Sequence, residues 1–230
     1  MYYHIVYNIN SKIWKTVTFY ISLPLEYIFN LCIQKSIWPR ALKESEIVPI
    51  YKSGNKHNTT NYRPISLISN IAKIFEKIVY TRLTEFFNET KIISEKQYGF
   101  LKDKGTKDAL AYVTDKIYSN LDMSNVVIAT FLDLRKAFDT VNHKILLSKL
   151  YCYGIRGPVL SLMENYLKDR MQSVKFLNGK SSKRTINRGV PQGTILGPLL
   201  FIIYINDNLN ELEDGLMVSY ADTVSVYQAF

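Results

Sequence analysis

The sequence predicts an α+β fold with a small antiparallel sheet, and three patterns indicate it. Apolar residues recur at three- and four-residue steps over residues 69–88, which is typical of an amphipathic helix. Residues 126–133 form a short apolar run rich in β-branched side chains, which indicates a buried strand. Residues 216–220 and 223–227 are strand-like runs on either side of Ala221-Asp222. Helices mixed with a few strands in this order are typical of α+β proteins.

Three further helices are predicted between these elements. In the first, Leu110, Val113 and Ile117 share one face. The last opens on Pro158, a residue type favoured at the start of helices. The predicted spans are 106–121, 141–151 and 158–168.

A β-hairpin and a glycine-punctuated loop are predicted in the second half of the chain. The dipeptide Asn178-Gly179 is a strong hairpin signal, and the strands around it would be residues 172–177 and 183–188. Residues 189–197 contain three glycines and are predicted to be a loop. This loop leads into an apolar segment, residues 199–205, which is predicted to be a buried helix.

Composition indicates a packed domain with an excess of positive charge. The chain has 230 residues, of which 47% are hydrophobic and 21% are charged, a balance that excludes a disordered chain. The formal net charge of +9 favours a polyanionic partner. Cys32 and Cys152 give no disulfide framework and no four-ligand zinc site, and both are expected to be small core residues.

No segment of the sequence predicts a signal peptide or a membrane span. The apolar window 16–33 is interrupted by a proline, a glutamate and an asparagine, and we expect it to belong to the core. Residues 199–205 are too few to cross a bilayer, which needs about 20 residues. We therefore expect an intracellular protein, in the nucleus or the cytoplasm, without a membrane partner.

Two acidic residues, Asp133 and Asp222, end apolar strands. An ionised carboxylate beside a hydrophobic strand is costly unless it is paired or binds a metal ion. If the two strands are neighbours, the carboxylates repel each other unless a divalent cation lies between them. Two metal ions about 3.5–4 Å apart would clamp the attacking and leaving oxygens of a phosphoryl transfer. The alternative is that each aspartate only caps the turn that follows it.

Two loops carry candidate ligand-binding groups. Glycines in residues 189–193 would let the backbone approach a ligand closely, and Gln192 would position that ligand. Lys52 and Arg63 flank a polar loop, and both residue types bind phosphates. The alternatives are an ordinary loop before a helix and a solvated basic loop.

Five different short blocks of sequence follow one another along the chain. They are KSG with NYRPISL (52–54 and 61–67), SEKQYGF with TKDAL (94–100 and 106–110), FLDLRKAFD (131–139), GVPQGTILGP (189–198) and YAD (220–222). In this order they closely resemble the reverse transcriptases of non-LTR retrotransposons, the jockey-like elements in particular. The resemblance extends from about residue 22 to the C-terminus, and no single block carries it.

The resemblance implies a right-hand polymerase fold and RNA-directed DNA polymerase activity. Residues 1–125 would form the fingers, including an unplaced stretch 1–20, and residues 126–230 would form an incomplete palm. The chain ends at Phe230, before the region that forms the helical thumb in the family, so we expect the thumb to be absent.

The resemblance also implies a metal site. Asp133 and Asp222 match the two metal-binding carboxylates, and the main-chain carbonyl of Leu134 would complete a metal shell. Two Mg²⁺ ions are implied, with Mn²⁺ as an alternative, and the partners would be an RNA template, a DNA primer and deoxynucleoside triphosphates. The reaction would join a primer 3′-hydroxyl to the α-phosphate of the nucleotide.

Five residues match family positions that contact the incoming nucleotide. Lys52 and Arg63 match residues that hold the triphosphate, and Phe138 matches an aromatic gate that favours deoxyribose. Gln192 and Gly193 match a loop that packs against the nascent base pair. For Phe138 the alternative is a core residue at the start of a helix.

The last block departs from the family pattern. The family reads Tyr/Phe-Ala-Asp-Asp, whereas Thr223 follows Asp222 in this chain. Either threonine replaced the second aspartate, or one aspartate was lost and the hairpin slipped by a residue, which reverses the faces of later side chains. Loss of a nearby negative charge should weaken the divalent site, and together with the missing thumb it predicts a partial copy with weak or no catalysis. The alternative function is a non-catalytic nucleic-acid-binding remnant of a mobile element.

Overall fold

The computed structural model describes residues 11–207 and 216–229. The helices of this part of the chain are α1 (Ser11–Gln34), α2 (Asn70–Glu89), α3 (Thr106–Asp122), α4 (Ala137–Thr140), α5 (His143–Cys152), α6 (Gly157–Leu167) and α7 (Leu196–Ile205). The strands are β1 (Glu44–Tyr51), β2 (Tyr62–Leu67), β3 (Val127–Asp133), β4 (Arg170–Phe176), β5 (Gly179–Lys180), β6 (Arg184–Ile186), β7 (Leu216–Tyr220) and β8 (Thr223–Ala229). Residues 1–10, half of the unplaced stretch 1–20, lie outside the described residues.

The strands form two sheets, which confirms the α+β prediction. The larger sheet has the order β2-β1-β4-β5, with β6 also paired to β4, and its β1–β4 pair is parallel. The smaller sheet has the order β3-β8-β7 and is wholly antiparallel. Because β1 pairs with β4, the larger sheet contains strands from both sides of the predicted boundary at residues 125 and 126.

The main core surrounds α7, which is buried on all sides. This burial agrees with the sequence of α7, which is a run of large apolar residues without a polar face. Helices α2, α4 and α5 contact α7 directly. An aromatic cluster packs beside α2. The ring of Phe75 stacks on Phe29 with a centroid distance of 4.7 Å and contacts the ring of Trp38 at 4.2 Å. The predicted buried helix at residues 199–205 is therefore confirmed and begins three residues earlier.

Helix α2 begins where the sequence predicts. The side chain of Ser69, the residue before this helix, accepts a hydrogen bond from the amide of Ala72 and so satisfies one free N–H of the first turn. Helix α3 also matches its predicted span, and Val113 and Ile117 pack against the smaller sheet. Leu110 shares their predicted face but is 67% exposed, because the side of α3 that packs on the sheet runs through its neighbour Ala109.

The prediction that residues 126–133 form a buried strand is correct for the strand and wrong for its burial. Six of the seven residues of β3 are exposed, among them Phe131 and Leu132. Side chains of a strand alternate between the two faces of the sheet, so exposure of six residues means that both faces of β3 are open. Among the described residues β3 pairs with β8 at the edge of the sheet, and little else packs on it apart from part of α3.

The prediction that residues 16–33 belong to the core is also wrong. They lie in α1, which continues through Pro24 and buries only Phe29 and Cys32, while Phe19, Tyr20 and others stay exposed. The stretch Thr16–Gln34 is long and apolar enough to span a membrane by length and composition, and little of it is buried against the rest of the protein. Core helices of soluble proteins and signal sequences meet the same criterion.

Two smaller predictions need correction. The hairpin turn lies at Leu177-Asn178, one residue before the predicted dipeptide, because Phe176 pairs with Gly179. The strand predicted at residues 183–188 is present but shorter, as β6, and the two-residue strand β5 before it was not predicted. Cys32 is buried as expected, whereas Cys152, at the end of α5, is exposed.

A buried carboxylate holds the N-terminus of α7. Glu76 on α2 is fully buried, and its carboxylate accepts hydrogen bonds from the amides of Ile195 and Leu196 at 2.8 and 3.2 Å. The hydroxyl of Tyr166 donates a third bond at 3.0 Å. Burial raises the pKa of Glu76, although the charge of Arg170 and the three donors oppose the shift.

Truncation of Leu150 should show how much the main core contributes to stability. Leu150 on α5 is fully buried, so Leu150→Ala should lower the free energy of unfolding by about 3–4 kcal/mol through lost burial and a new cavity. Leu110→Ala removes the same atoms from an exposed site and should change the free energy of unfolding by less than about 0.5 kcal/mol. Urea unfolding measures both, and equal effects would contradict this assignment of the core.

Replacement of Glu76 should change how stability depends on pH. Because the pKa of Glu76 is higher in the folded chain than its ordinary value of 4.5, the folded state binds the proton more tightly. Its contribution is fully present below pH 4.5 and is lost as pH rises through the folded pKa. The stability of wild type relative to Glu76→Gln should therefore fall as pH rises above 4.5.

Urea midpoints measured between about pH 4 and pH 8 test this difference. Glu85→Gln, on the exposed side of the same helix, is the matched control. A pH slope no steeper for Glu76→Gln than for Glu85→Gln would contradict the prediction.

Candidate active site

Asp133 and Asp222 lie at the same end of the smaller sheet. Asp133 is the last residue of β3, and Asp222 is the second residue of the two-residue turn that joins β7 to β8. In the register of β3 with β8, Asp133 pairs with Thr223, the residue after Asp222. The amide of Leu134 donates a 3.1 Å hydrogen bond to the carbonyl of Asp222. The backbone thus joins the two aspartate-bearing segments directly.

The pairing places Thr223 beside Asp133. The Leu134–Asp222 hydrogen bond lies one step beyond their pair, and hydrogen-bonded and non-hydrogen-bonded pairs alternate in antiparallel ladders. Asp133 and Thr223 therefore form a non-hydrogen-bonded pair, in which opposite Cα atoms are about 4.5 Å apart and the side chains share a face. A carboxylate at position 223 would be a close cross-strand neighbour of Asp133.

The two carboxylates suit a hard divalent cation. Asp133 is exposed and Asp222 is half-buried, and neither forms an ion pair within residues 11–207 and 216–229. Mg²⁺ is bound in proteins through one or two carboxylates, with substrate phosphates and water filling the other positions. No cluster of three or more acidic, histidine or cysteine residues occurs among the described residues. Two carboxylates are enough for a cation of this kind when substrate phosphates supply the other ligands.

The segment before α3 contains two residues of the site whose role the sequence did not indicate. Gln97 is fully buried, and its side-chain oxygen accepts hydrogen bonds from the amides of Gly99 and Ala221. Gly99 packs directly on the backbone of Ala221 in the β7–β8 turn. Both residues lie in the block 94–100, so the motif marked the segment without showing what it contacts.

The loop 189–193 connects α4 to the larger sheet. The amide of Val190 donates to the carbonyl of Phe138, and the amide of Gly189 donates to the carbonyl of Val141, both at 2.8 Å. At its other end, the carbonyl of Gln192 accepts a 2.7 Å bond from the amide of Ser66 in β2. The predicted loop is confirmed, and backbone hydrogen bonds fix it at both ends.

Close approach explains why glycine occupies the first position of this loop. A Cβ on Gly189 would lie 2.9 Å from backbone atoms of Phe138 and Asp139, and its φ of +84° is left-handed. Gly193, with a φ of +92°, lies against Ile65 and Ser66 of β2. The structure thus brings Gln192 and Gly193 to β2, the strand that also carries Arg63.

Phe138 lies in the main core at the start of α4. Its ring stacks on Phe201 of α7 at 4.7 Å and meets the ring of Phe100 edge-on at 5.9 Å. It is 8% exposed, so the core role that the sequence left open is part of its environment. Burial raises the pKa of the neighbouring Asp139, against the opposing charge of Lys136.

Lys52 and Arg63 lie on one exposed hairpin. Arg63 pairs with Ile50 in the β1–β2 ladder, and the amide of Lys52 donates a 2.8 Å bond to the carbonyl of Asn61. The ladder therefore continues past β1, and both cations lie at the solvent-exposed end of the hairpin. Neither side chain forms an ion pair within the described part of the chain.

Comparison with known proteins places this site in a family. Residues 52–229 match the family described as "Reverse transcriptase (RNA-dependent DNA polymerase)". The chain is 32% identical over 212 residues to the "Probable RNA-directed DNA polymerase from transposon BS" of Drosophila melanogaster, covering 89% of this chain and 23% of that protein. It is 33% identical to the "RNA-directed DNA polymerase from mobile element jockey" of the same species, over 88% of this chain and 23% of that protein.

Solved structures share the fold at much lower identity. Apo telomerase of Candida tropicalis, truncated from its C-terminal domain, superposes with a TM-score of 0.62 at 14% identity, covering 90% of this chain and 49% of that one. This neighbour has a right-hand polymerase fold. The chain spans about a quarter of the length of the curated relatives it matches. By the family match over residues 52–229, the chain belongs to the reverse transcriptase (RNA-dependent DNA polymerase) family, and the Drosophila relatives to which it is similar are polymerases of a transposon and a mobile element.

Proposed function

We propose that this chain carries the metal-binding and nucleotide-binding residues of an RNA-directed DNA polymerase, in a copy with impaired catalysis. The observation that supports the site is the β3–β8 register, which brings Asp133 to the turn that holds Asp222. The partners would be an RNA template, a DNA primer and deoxynucleoside triphosphates, inside the cell. A structural neighbour from Candida albicans was solved with a fragment of telomeric RNA, which is consistent with an RNA partner for this fold.

Asp133 and Asp222 would hold Mg²⁺, with the main-chain carbonyl of Leu134 as a further oxygen ligand. Bound there, Mg²⁺ would lower the pKa of the primer 3′-hydroxyl and neutralise charge on the phosphates. The reaction would form a bond between that hydroxyl oxygen and the α-phosphorus, break the bond from the α-phosphorus to the oxygen that bridges it to the β-phosphate, and release pyrophosphate, with the hydroxyl proton passing to water. Because Asp133 ends a hydrogen-bonded ladder and Asp222 lies in the turn beside it, the chain's contribution would be to fix the positions of the charges before substrate arrives.

The incoming nucleotide would lie between the hairpin and the loop. Lys52 and Arg63 would bind the triphosphate, since both cations are exposed and have no acidic partner among the described ion pairs. Gln192 and Gly193 would contact the nascent base pair from a loop anchored on β2. Phe138 would restrict the space at the sugar 2′ position from its stacked position on Phe201.

Thr223 would account for the impairment. It lies directly opposite Asp133, where a second aspartate would add negative charge next to the metal site. A hydroxyl group attracts a divalent cation much less than a carboxylate does. We therefore infer weaker metal binding than in a chain with aspartate at this position.

Primer extension with metal titration tests this proposal. Purified chain is given a primed RNA template, deoxynucleotides and Mg²⁺ or Mn²⁺, and Thr223→Asp should raise extension at limiting metal by about 10-fold or more. Asp133→Asn and Asp222→Asn should abolish any extension, because each removes a ligand charge.

Asp115→Asn, which removes a surface carboxylate from α3, is the matched control and should leave extension unchanged. Robust extension by the unmodified chain, equal to that of Thr223→Asp, would reject the impairment. Extension by wild type that survives both Asp133→Asn and Asp222→Asn would reject the site.

A second candidate, nucleic-acid binding without catalysis, is favoured by the net charge of +9. Binding of a primed RNA template should weaken steeply with salt, because each neutralised phosphate releases counterions. Lys52→Ala combined with Arg63→Ala should reduce the slope of log K against log[salt] by about 1–2, and Lys116→Ala on α3 is the control. Tight, salt-dependent binding with no extension even by Thr223→Asp would favour this candidate. A slope that the double variant leaves unchanged would exclude the hairpin as the contact.

A further inference from the structure

The outer edge of β7 forms backbone hydrogen bonds with a segment that lies more than a hundred residues earlier in the chain. The amide of Ser219 donates to the carbonyl of Lys96 at 2.9 Å, and the amide of Tyr98 donates to the carbonyl of Ser219 at 2.8 Å. These bonds form a short parallel bridge between Gln97 and Ser219. Residues 96–98 therefore act as a fourth, minimal strand beside the hairpin that carries Asp222.

The side chain of Gln97 reaches the turn itself. Its Oε1 accepts hydrogen bonds from the amides of Gly99 at 2.7 Å and Ala221 at 3.3 Å, and its Nε2 donates to the hydroxyl of Ser219 at 3.2 Å. Gln97 is fully buried, so no water is available to replace these partners. Loss of the Gln97 oxygen would leave two buried amides unpaired, which is more costly than the loss of an exposed bond.

Gly99 fixes the same turn by contact. A Cβ at this position would lie 2.1 Å from the nitrogen of Ala221 and 2.8 Å from its Cα, distances that real Cβ atoms do not show. Its φ is not left-handed, so the requirement for glycine here is space and not conformation. Any larger residue would displace the backbone of the turn.

The turn needs such support because its first residue is strained. Ala221 has a φ of 57°, a left-handed conformation that residues with a Cβ avoid and adopt only where surrounding structure imposes it. Both Gln97 and Gly99 act on the backbone of Ala221, one by a hydrogen bond and one by contact. Asp222 is the next residue, so displacement of Ala221 moves it.

We propose that Gln97 and Gly99 are positioning residues that set the place of Asp222 relative to Asp133. This inference rests on the proposed function, in which the two aspartates bind a divalent cation. The proposal means that the segment before α3 helps to set the distance between the two metal ligands, although it contains neither of them. Groups that orient metal ligands typically change metal affinity by about 10- to 100-fold when they are lost.

Mn²⁺ titration of the full chain, followed by the EPR signal of free Mn²⁺, tests the proposal. Gln97→Met and Gly99→Ala should each weaken Mn²⁺ binding by about 10-fold or more. Gly105→Ala is the matched control, because a Cβ there meets nothing closer than 3.6 Å, and it should bind Mn²⁺ within about twofold of wild type. Weakened folding with unchanged Mn²⁺ affinity in both variants would overturn the proposal in favour of a purely structural role.

Amide hydrogen exchange without metal provides a second measurement. Peptides from the β7–β8 hairpin should exchange faster in Gln97→Met and Gly99→Ala, while peptides from α7 keep their protection. Gln97→Glu retains an acceptor oxygen for both amides and should retain hairpin protection. Leu150→Ala, which weakens the main core, controls for general loss of stability. Unchanged hairpin exchange in both Gln97→Met and Gly99→Ala would overturn the proposal.

Failure of the proposed function would give a different pattern of Mn²⁺ binding among the variants than failure of the positioning role. If Asp133→Asn and Asp222→Asn leave Mn²⁺ binding unchanged, the aspartates are not the metal site, and the positioning of a metal ligand is rejected with it. If the aspartate variants weaken binding but Gln97→Met and Gly99→Ala do not, only the positioning role is rejected.

Discussion

The antiparallel ladder between β3 and β8 is the interaction on which the candidate site depends. Seven residue pairs, from Val127–Ala229 to Asp133–Thr223, fix the relative position of two segments about ninety residues apart in the chain. A slip of one residue would send every side chain of β3 to the other face of the sheet and separate Asp133 from the β7–β8 turn. The Leu134–Asp222 hydrogen bond closes this ladder at the end where the acids lie.

Buried and exposed carboxylates have different roles in this chain. Glu76 is buried, with three hydrogen-bond donors on its carboxylate, and it links α2 to the N-terminus of α7. Asp133 and Asp222 lie where water and ions reach them, and Asp133 ends a strand that is itself exposed. A buried acid with fixed protein partners holds the fold together, whereas a solvent-accessible pair of acids remains available to a cation and its substrate.

The loop 189–193 and the segment 96–99 complete the same framework from opposite directions. The loop joins α4 to β2, so the residues around Phe138 and Arg63 cannot move independently. The segment supports the turn at Ala221 from the outer edge of β7. Both use glycines where backbone approaches backbone. The fold itself tolerates far more change, since a telomerase superposes at 14% identity.

The sequence alone determined most of the helices, most strand positions and the family. Helical periodicity identified α2 and α3, and two strand-like runs on either side of Ala221-Asp222 identified the β7–β8 hairpin, because these signals are local. Burial depends on which elements become neighbours, so the apolar residues of β3 and α1 misled the prediction of the core. The support of Ala221 by Gln97 and Gly99 likewise depends on a contact across more than a hundred residues. Only the tertiary structure decided these features, because no local pattern encodes which distant backbone a side chain will meet.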